Sequence, residues 1–488
     1  MFRSLSVRNY RIWFIGALVS NIGAWMQATT QNWVVLTELT ENNAAAVGTT
    51  MALQFGPQLL LVPFSGAVAD RFDRRKVLLV TQSLLMLLAF GLGALLVSGA
   101  AELWHLYSFA LALGIVNAFD TTSRQAFVSD LVGTAQLSNA VALNSASFNS
   151  ARLVGPAVAG VLIAAVGSGW VFIINGVSFL AVIGALLLIT ARRKAPPANA
   201  PRESQLRQLS AGFRYVKQRH DLLVIFVIVF LVGAFSMNFP VMSSTMAVEF
   251  GRGAGDYGLL SSILAIGSLS GALLSARRPE ARMRVVIISV GGIGIMSLIA
   301  ALMPSFWTFA ATLVFLGLAI STMLTTANGF VQTTADPAVR GRVLALYMAI
   351  LMGGTPIGAP LVGAAANALG ARSTLFISAA AAMLAFGIGL TWLLTERGLR
   401  FHRDGWNWRV THVGRPGLDD SHGGQSETLT APISVLRRQP EDPMGESAPQ
   451  EGLTGRIPIV ADEVSEDPDI DEVLDPDSDS EAGDPKPR

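Results

Sequence analysis

Arg152 falls about halfway along an apolar stretch, 139 to 166, where an unpaired cation is expensive and marks either a pathway or a partner. Ser145, Asn149, Arg152, Pro156 and Gly160 recur at helical spacing and form one narrow face of polar and small residues. In the first apolar stretch Ser20, Ala24, Gln27 and Gln31 do the same, and Gln54 and Gln58 lie four apart in the second. The chemistry such faces offer is hydrogen bonding and charge pairing with a small molecule in a membrane cavity. The alternative is interhelical adhesion at about 1 kcal/mol per bond. For the glutamines both readings stand; for Arg152 the cavity is preferred.

A second cluster lies between two long apolar segments, where Gly66 is followed by Asp70, Arg71, Asp73, Arg74, Arg75 and Lys76. The gap is too short for a domain and reads as a tight loop at a membrane face. Its cationic excess puts that face on the cytoplasmic side, and Gly66 allows a close helix approach. Asp70 is placed to meet a helix N-terminus, whose unsatisfied N–H groups favour an anion.

Other chemistries are excluded by what is missing. With no cysteine there is no disulfide framework, thiolate metal site or cysteine nucleophile. The histidines, His105, His220, His402, His412 and His422, form no His-Glu-x-x-His pattern, and no phosphate-binding Gly-x-x-x-x-Gly-Lys-Ser/Thr loop occurs. Neither an enzyme nor a resident metal or cofactor is expected, and nucleic acid is not a partner. The expected partners are a small-molecule substrate and the lipid bilayer, with the protein a monomer.

The elements that must position these residues are membrane helices. Hydrophobic residues make up 51% of the 488 and charged ones 14%, with a mean hydropathy of +0.50. Apolar runs near 11–37, 44–68, 77–98, 103–123, 139–166 and 170–190 are followed by six more near 221–247, 257–276, 284–303, 307–331, 343–368 and 373–395. Each is long enough to span a hydrocarbon core of about 30 Å. Lys and Arg concentrate in alternate loops, which predicts both termini inside, and Trp104, Trp170 and Trp307 open spans at the outer face. Arg3, Arg8 and Arg11 precede the first span, which reads as an uncleaved helix.

An internal repeat organises the spans. Gly155-Pro156 and Gly160, followed by Gly167, return as Gly358 and Pro360 with Gly363, followed by Gly370; 160 to 363 and 167 to 370 are the same interval of 203 residues. Phe127-Val128 and Ala142-Leu143 map at that interval onto Phe330-Val331 and Ala345-Leu346. Two parallel six-helix halves, residues 1–190 and 221–395, are implied, with a central cavity and rocking-type access. These glycines and prolines read as sites of close packing and bending. The basic segment 191–220 reads as a cytoplasmic linker with an amphipathic helix. Residues 396–488 form a tail whose acidic end cannot bury enough apolar surface to fold alone. It reads as passive and solvated, with docking of a cytoplasmic partner as the alternative; Trp406 and Trp408 would rest on lipid.

The pattern Gly-x-x-x-Asp-Arg-x-x-Arg-Arg-Lys from Gly66 to Lys76, between the second and third spans, resembles the loop signature of the major facilitator superfamily. Ser20 to Gln27 and Ala151 to Gly160 extend the resemblance to the branch of enterobactin-type siderophore exporters and drug-efflux relatives, over residues 1–395. It implies an all-α membrane fold of twelve helices in the cytoplasmic membrane. It also implies a conformational gate of Gly66, Asp70, Arg71, Arg74 and Arg75, with Asp120 as the acid that pairs Arg74. The second-half counterpart has Ser275 in place of Asp70, so the gate is expected to be one-sided. The implied function is proton-coupled export of small amphipathic molecules, drugs or siderophore-like metabolites. The antiporter signature is only partly present, Ala151 replacing its further glycine. The alternative is a non-transporting receptor or scaffold of the same fold.

Overall fold

The computed structural model describes residues 3–189, 212–278, 280–396, 399–404 and 407–412. The first half comprises α1 (Arg8–Trp33), α2 (Ala44–Arg71), α3 (Arg74–Val97), α4 (Leu103–Leu131), α5 (Thr134–Val166) and α6 (Ser168–Leu188). The second comprises α7 (His220–Leu231), α8 (Phe239–Glu249), α9 (Ala254–Ala276), α10 (Met283–Leu302), α11 (Phe306–Thr334), α12 (Arg340–Leu369) and α13 (Ser373–Glu396). A π-helical turn, Val232–Ser236, joins α7 to α8 as one span, which makes twelve spans among the described residues.

By length and composition nine of these helices are apolar enough to cross a membrane, or ten counting α2, which bends by 59° between Leu61 and Phe64. Pro63 at that bend removes a backbone donor from the helical ladder. α1 and α4 fall short because they carry polar stripes, and both line the cavity described below.

Capping sets several boundaries. The Asn43 side chain accepts from the Ala46 amide at the start of α2, and Asp73 accepts from the Arg75 amide at 2.9 Å to start α3. At the ends of α5 and α12, Gly167 and Gly370 both have φ of 87°, which a side chain resists, so one sharp turn serves both halves of the repeat.

The halves meet at two repeat-related crossings, α2 on α12 and α5 on α9. A Cβ on Gly48 would collide with the carbonyl oxygen of Ala359, and one on Gly258 with that of Pro156. A Cβ on Gly363 would likewise collide with the Ala44 carbonyl oxygen, and one on Gly160 would come within 2.8 Å of Gly255 and 2.9 Å of Ala254. Ala359 and Pro156 are separated by the same 203 residues as Gly363 and Gly160 (156 to 359, 160 to 363). Gly155 and Gly358 instead pack within their own halves, against Ile22 and Trp25 of α1 and against Ala234 of the π-helical turn. Pro360 lies in the α12 crossing, its Cα beside Gly48.

One end of the molecule is closed. Asn367 of α12 accepts from the Ala44 amide at 2.7 Å and donates to Asn43 at 2.5 Å, and Trp33 stacks on Tyr257 across the halves at 5.9 Å. Trp104, Trp170 and Trp307 open their helices at this end and are exposed. At the opposite end, which carries the Gly66 to Lys76 loop, the Asp70 side chain is 75% exposed, and Arg277 and Arg278 are exposed.

Two expectations need adjustment. The fourth span extends to Leu131 rather than ending near 123, and beyond 396 a hairpin forms from β1 (Leu399–Asp404) and β2 (Asn407–His412), with Leu399 opposite His412. Apolar residues at 399, 401, 408 and 410 supply the strand alternation for it. Residues 190–211, Trp406 and 413–488 lie outside the described residues, so the linker's first part and the acidic tail do too. The linker's last part is helical at 212–217, and the Asp336 amide donates to Tyr215 Oη at 3.2 Å.

Candidate functional site

A cavity of about 510 Å³ lies among the first six helices. Its volume is in the range of small-molecule sites, about 300–1,000 Å³. Amide side chains dominate its polar wall: Asn21 and Gln27 from α1, Gln54 from α2, and Asn117 and Gln125 from α4. Asn144 and Asn149 of α5 and Asn175 of α6 complete it, while Phe148, Phe179, Leu85 and Leu113 supply apolar surface. Asn175 donates to Gln27 Oε1 at 2.5 Å, and Asn149 donates to the Ser145 carbonyl at 2.9 Å. The wall is thus fixed partly by its own hydrogen bonds, leaving other amide groups to face a ligand.

Asp120 and Arg124, one helical turn apart on α4, are the ionisable members of the lining. Asp120 is 4% exposed; its Oδ1 accepts from Thr81 at 2.8 Å and Gln82 at 2.7 Å, and its Oδ2 accepts from Arg124 Nε at 3.1 Å. The Arg124 guanidinium also lies 5.5 Å from the Trp13 ring centre, a cation–π contact. A carboxylate so fully bonded acts as the counter-charge to Arg124.

This geometry overturns the pairing of Arg74 with Asp120. Arg74 Nη1 contacts both oxygens of Asp130, at 2.9 and 3.0 Å, and Asp70 is 3.9 Å from Arg74. Asp120 lies ten residues before Asp130, about 15 Å along the helix, and is out of reach. The Asp70 side chain is 75% exposed at the end of the molecule that carries the loop. Gly66 is half-buried in the last turns of α2, Arg71 is exposed beyond it, and Arg75 donates to the Leu187 carbonyl at 3.1 Å, tying α3 to α6. Ser275, the counterpart of Asp70, is buried.

Among the cavity candidates, Gln27, Gln54 and Asn149 line the wall, whereas Gln31, Gln58 and Arg152 do not. Gln31 sits behind Gln54 and donates to it at 3.0 Å; Gln58 is half-buried on α2. Arg152 points across the α5–α9 crossing, donating to Ser268 at 3.3 Å, and Ser262 donates to the Leu153 carbonyl at 2.8 Å in the same seam. Arg152 thus reaches a neutral hydroxyl of the second half at the interface between the halves. Arg124 is the residue that hydropathy does not single out, because it lies one position beyond the apolar run 103–123. The signal was available: Asn117, Asp120, Thr121 and Arg124 recur at 3, 4 and 7 residues.

Comparison with known proteins agrees with this architecture. The family model described as transmembrane secretion effector matches residues 1–400. The staphyloferrin A transporter of Staphylococcus aureus is 24% identical over 371 residues, 75% of this chain and 92% of that protein. The enterobactin exporter EntS of Shigella boydii is 27% identical over 359 residues, 72% and 83% of the respective chains. In fold, the chain resembles a bacterial homolog of the human lysosomal transporter Spinster in an inward-facing, unoccupied conformation (TM-score 0.62, 14% identity, 79% and 98% of the two chains). It likewise resembles the nucleoside transporter NupG (TM-score 0.61, 13% identity, 78% and 98%). A polar cavity between helices joined by an internal repeat, and a family match over most of the chain, have one common meaning: this protein is a multi-pass, non-enzymatic membrane transporter belonging to the transmembrane secretion effector family of the major facilitator superfamily.

Proposed function

We propose that this transporter exports small amphipathic molecules, drugs or siderophore-like chelators, across the cytoplasmic membrane by alternating access, with protons moving in the opposite direction. The observation that carries the reading is the amide-lined cavity, taken together with the contacts of Asn43, Asn367 and the glycine crossings that close the end opposite Asp70. The basic loops cluster at the open end, which by the charge bias is the cytoplasmic one. Substrate made inside the cell would enter there. The relatives named for enterobactin export and staphyloferrin A transport support chelators as the substrate class.

Closure of the open end would bring Asp70 toward the second half, where a helix N-terminus favours its carboxylate. Release of that contact, with Arg74 held by Asp130, would return the cavity to the cytoplasm. Purified protein in liposomes, loaded with a metal-free catecholate chelator and given a pH gradient, tests the proposal. Chelator movement that collapses with a protonophore is expected. Movement insensitive to the protonophore would remove proton coupling, and none with chelators or dyes would remove export.

A further inference from the structure

We infer that Asp120 sets the charge selectivity of the cavity: by neutralising Arg124 it makes the site accept uncharged ligands and reject anions. The inference rests on the chelator-export reading above. Without Asp120 the lining would carry one net positive charge on Arg124, surrounded by amides, a site suited to carboxylates and phenolates. With it, the lining is neutral, because among the described residues Asp120 and Arg124 are its only ionisable members.

The pair is arranged for internal compensation. Both Asp120 oxygens are taken, Oδ1 by Thr81 and Gln82 and Oδ2 by Arg124, and side-chain exposures of 6% and 17% keep the ion pair away from water. The Arg124 donors Nε and Nη2 both face Asp120, and the ring of Trp13 lies against the guanidinium. Arg124 Nη1 is the one guanidinium nitrogen left without a hydrogen-bond partner among the described residues, and it is buried, so an anion that reached it would have to shed its water and would still meet the Asp120 carboxylate held against the same guanidinium.

Alternating access adds a second penalty. Between the two open states the cavity is sealed from both sides, so a ligand gives up its hydration to the lining. A neutral ligand exchanges water for amide hydrogen bonds; an anion facing a neutral wall loses hydration without a counter-charge. A catecholate chelator presents both cases on one scaffold. Metal-free, its phenols are protonated and it donates and accepts as the amides require. Bound to a trivalent metal it has lost those protons and is a polyanion. The cavity therefore takes the metal-free ligand and excludes its metal complex.

Calorimetric titration of the full-length protein in lipid nanodiscs with metal-free enterobactin, and separately with its gallium complex, tests this. Wild type is expected to bind the metal-free ligand at least about tenfold more tightly, the equivalent of about 1.4 kcal/mol. Asp120→Asn should raise affinity for the complex about tenfold while changing that for the metal-free ligand less than about threefold. The double variant Asp120→Asn with Arg124→Gln restores neutrality and should restore the wild-type preference, which loss of structure at this site would not do. Equal or tighter binding of the complex by wild type, or an unchanged ratio in Asp120→Asn, would overturn the inference with chelator export intact. Binding of neither ligand would overturn both.

Discussion

Asp120 and Asp130 show how far a single residue's role depends on where its helix ends. Both are acids of α4, yet one balances a cation in the cavity and the other holds Arg74 at the loop. Arg74 and Asp130 are 27% and 12% exposed, and removing one partner of such a pair leaves the other partly desolvated, at about 1–3 kcal/mol. Asp130→Asn is therefore expected to lower the thermal unfolding midpoint in detergent by several degrees. Asp70→Asn, at a side chain 75% exposed, should change it little and act instead on transport. Equal midpoints for the two variants would disprove this division of roles. At Arg152 the expectation is coupling rather than binding. Arg152→Ala and Ser268→Ala should each destabilise modestly, with an interaction energy of about 0.5–1.5 kcal/mol in the double-mutant cycle. Strict additivity would mean that the 3.3 Å contact contributes nothing.

Helices were the most legible level of this protein. Long apolar runs, basic loops and the 203-residue repeat anticipated the spans, because a bilayer enforces helices of a minimum length. The failures share one cause. A helix facing a watery cavity carries polar residues inside the membrane, so α4 seemed to stop at Arg124 and Gln125, although its backbone continues for seven residues past Arg124. For the same reason Arg124 lies just beyond the apolar run 103–123, while Arg152 lies inside one, at 139–166, and stands out from it. Side-chain partners across the crossings were not legible either, for they depend on how two halves dock. The glycines at these crossings make a direct prediction. Gly258→Ala places a methyl group against the Pro156 carbonyl and should disfavour the closed-end contact by about 1–3 kcal/mol. Because the chain has no native cysteine, a single Val34→Cys, at a residue fully buried near the closed end, can report it. Labelling by a membrane-impermeant maleimide is expected to rise at least severalfold in the Gly258→Ala background. Unchanged labelling would show that the crossing tolerates the added methyl.

For the molecule as a whole, the two ends are coupled if each half moves as a rigid body. The closed end is joined by a reciprocal arrangement: Asn367 of the second half accepts from the Ala44 amide and so adds a second cap to the α2 N-terminus beside the local one, Asn43, which in turn accepts from the Asn367 amide. Losing a capping side chain weakens a helix start by about 0.5–2 kcal/mol, and here that loss falls only on the conformation in which the halves touch. A free-energy change of 1–2 kcal/mol moves a two-state population about 5- to 30-fold. Asn367→Ala should thus shift the protein toward the state closed at the Asp70 end. Spin labels at Ala67→Cys of α2 and Ala345→Cys of α12, both exposed on the open side, should report a shorter distance in pulsed resonance measurements when Asn367 is replaced. The Asp70→Asn variant should reverse this shift, since the contact that favours closure at that end is then missing. If the Ala67 to Ala345 distance stays the same in all three proteins, the halves do not rock as units, and release of one end would have to occur by local bending, for which the 59° break in α2 is the first place to look.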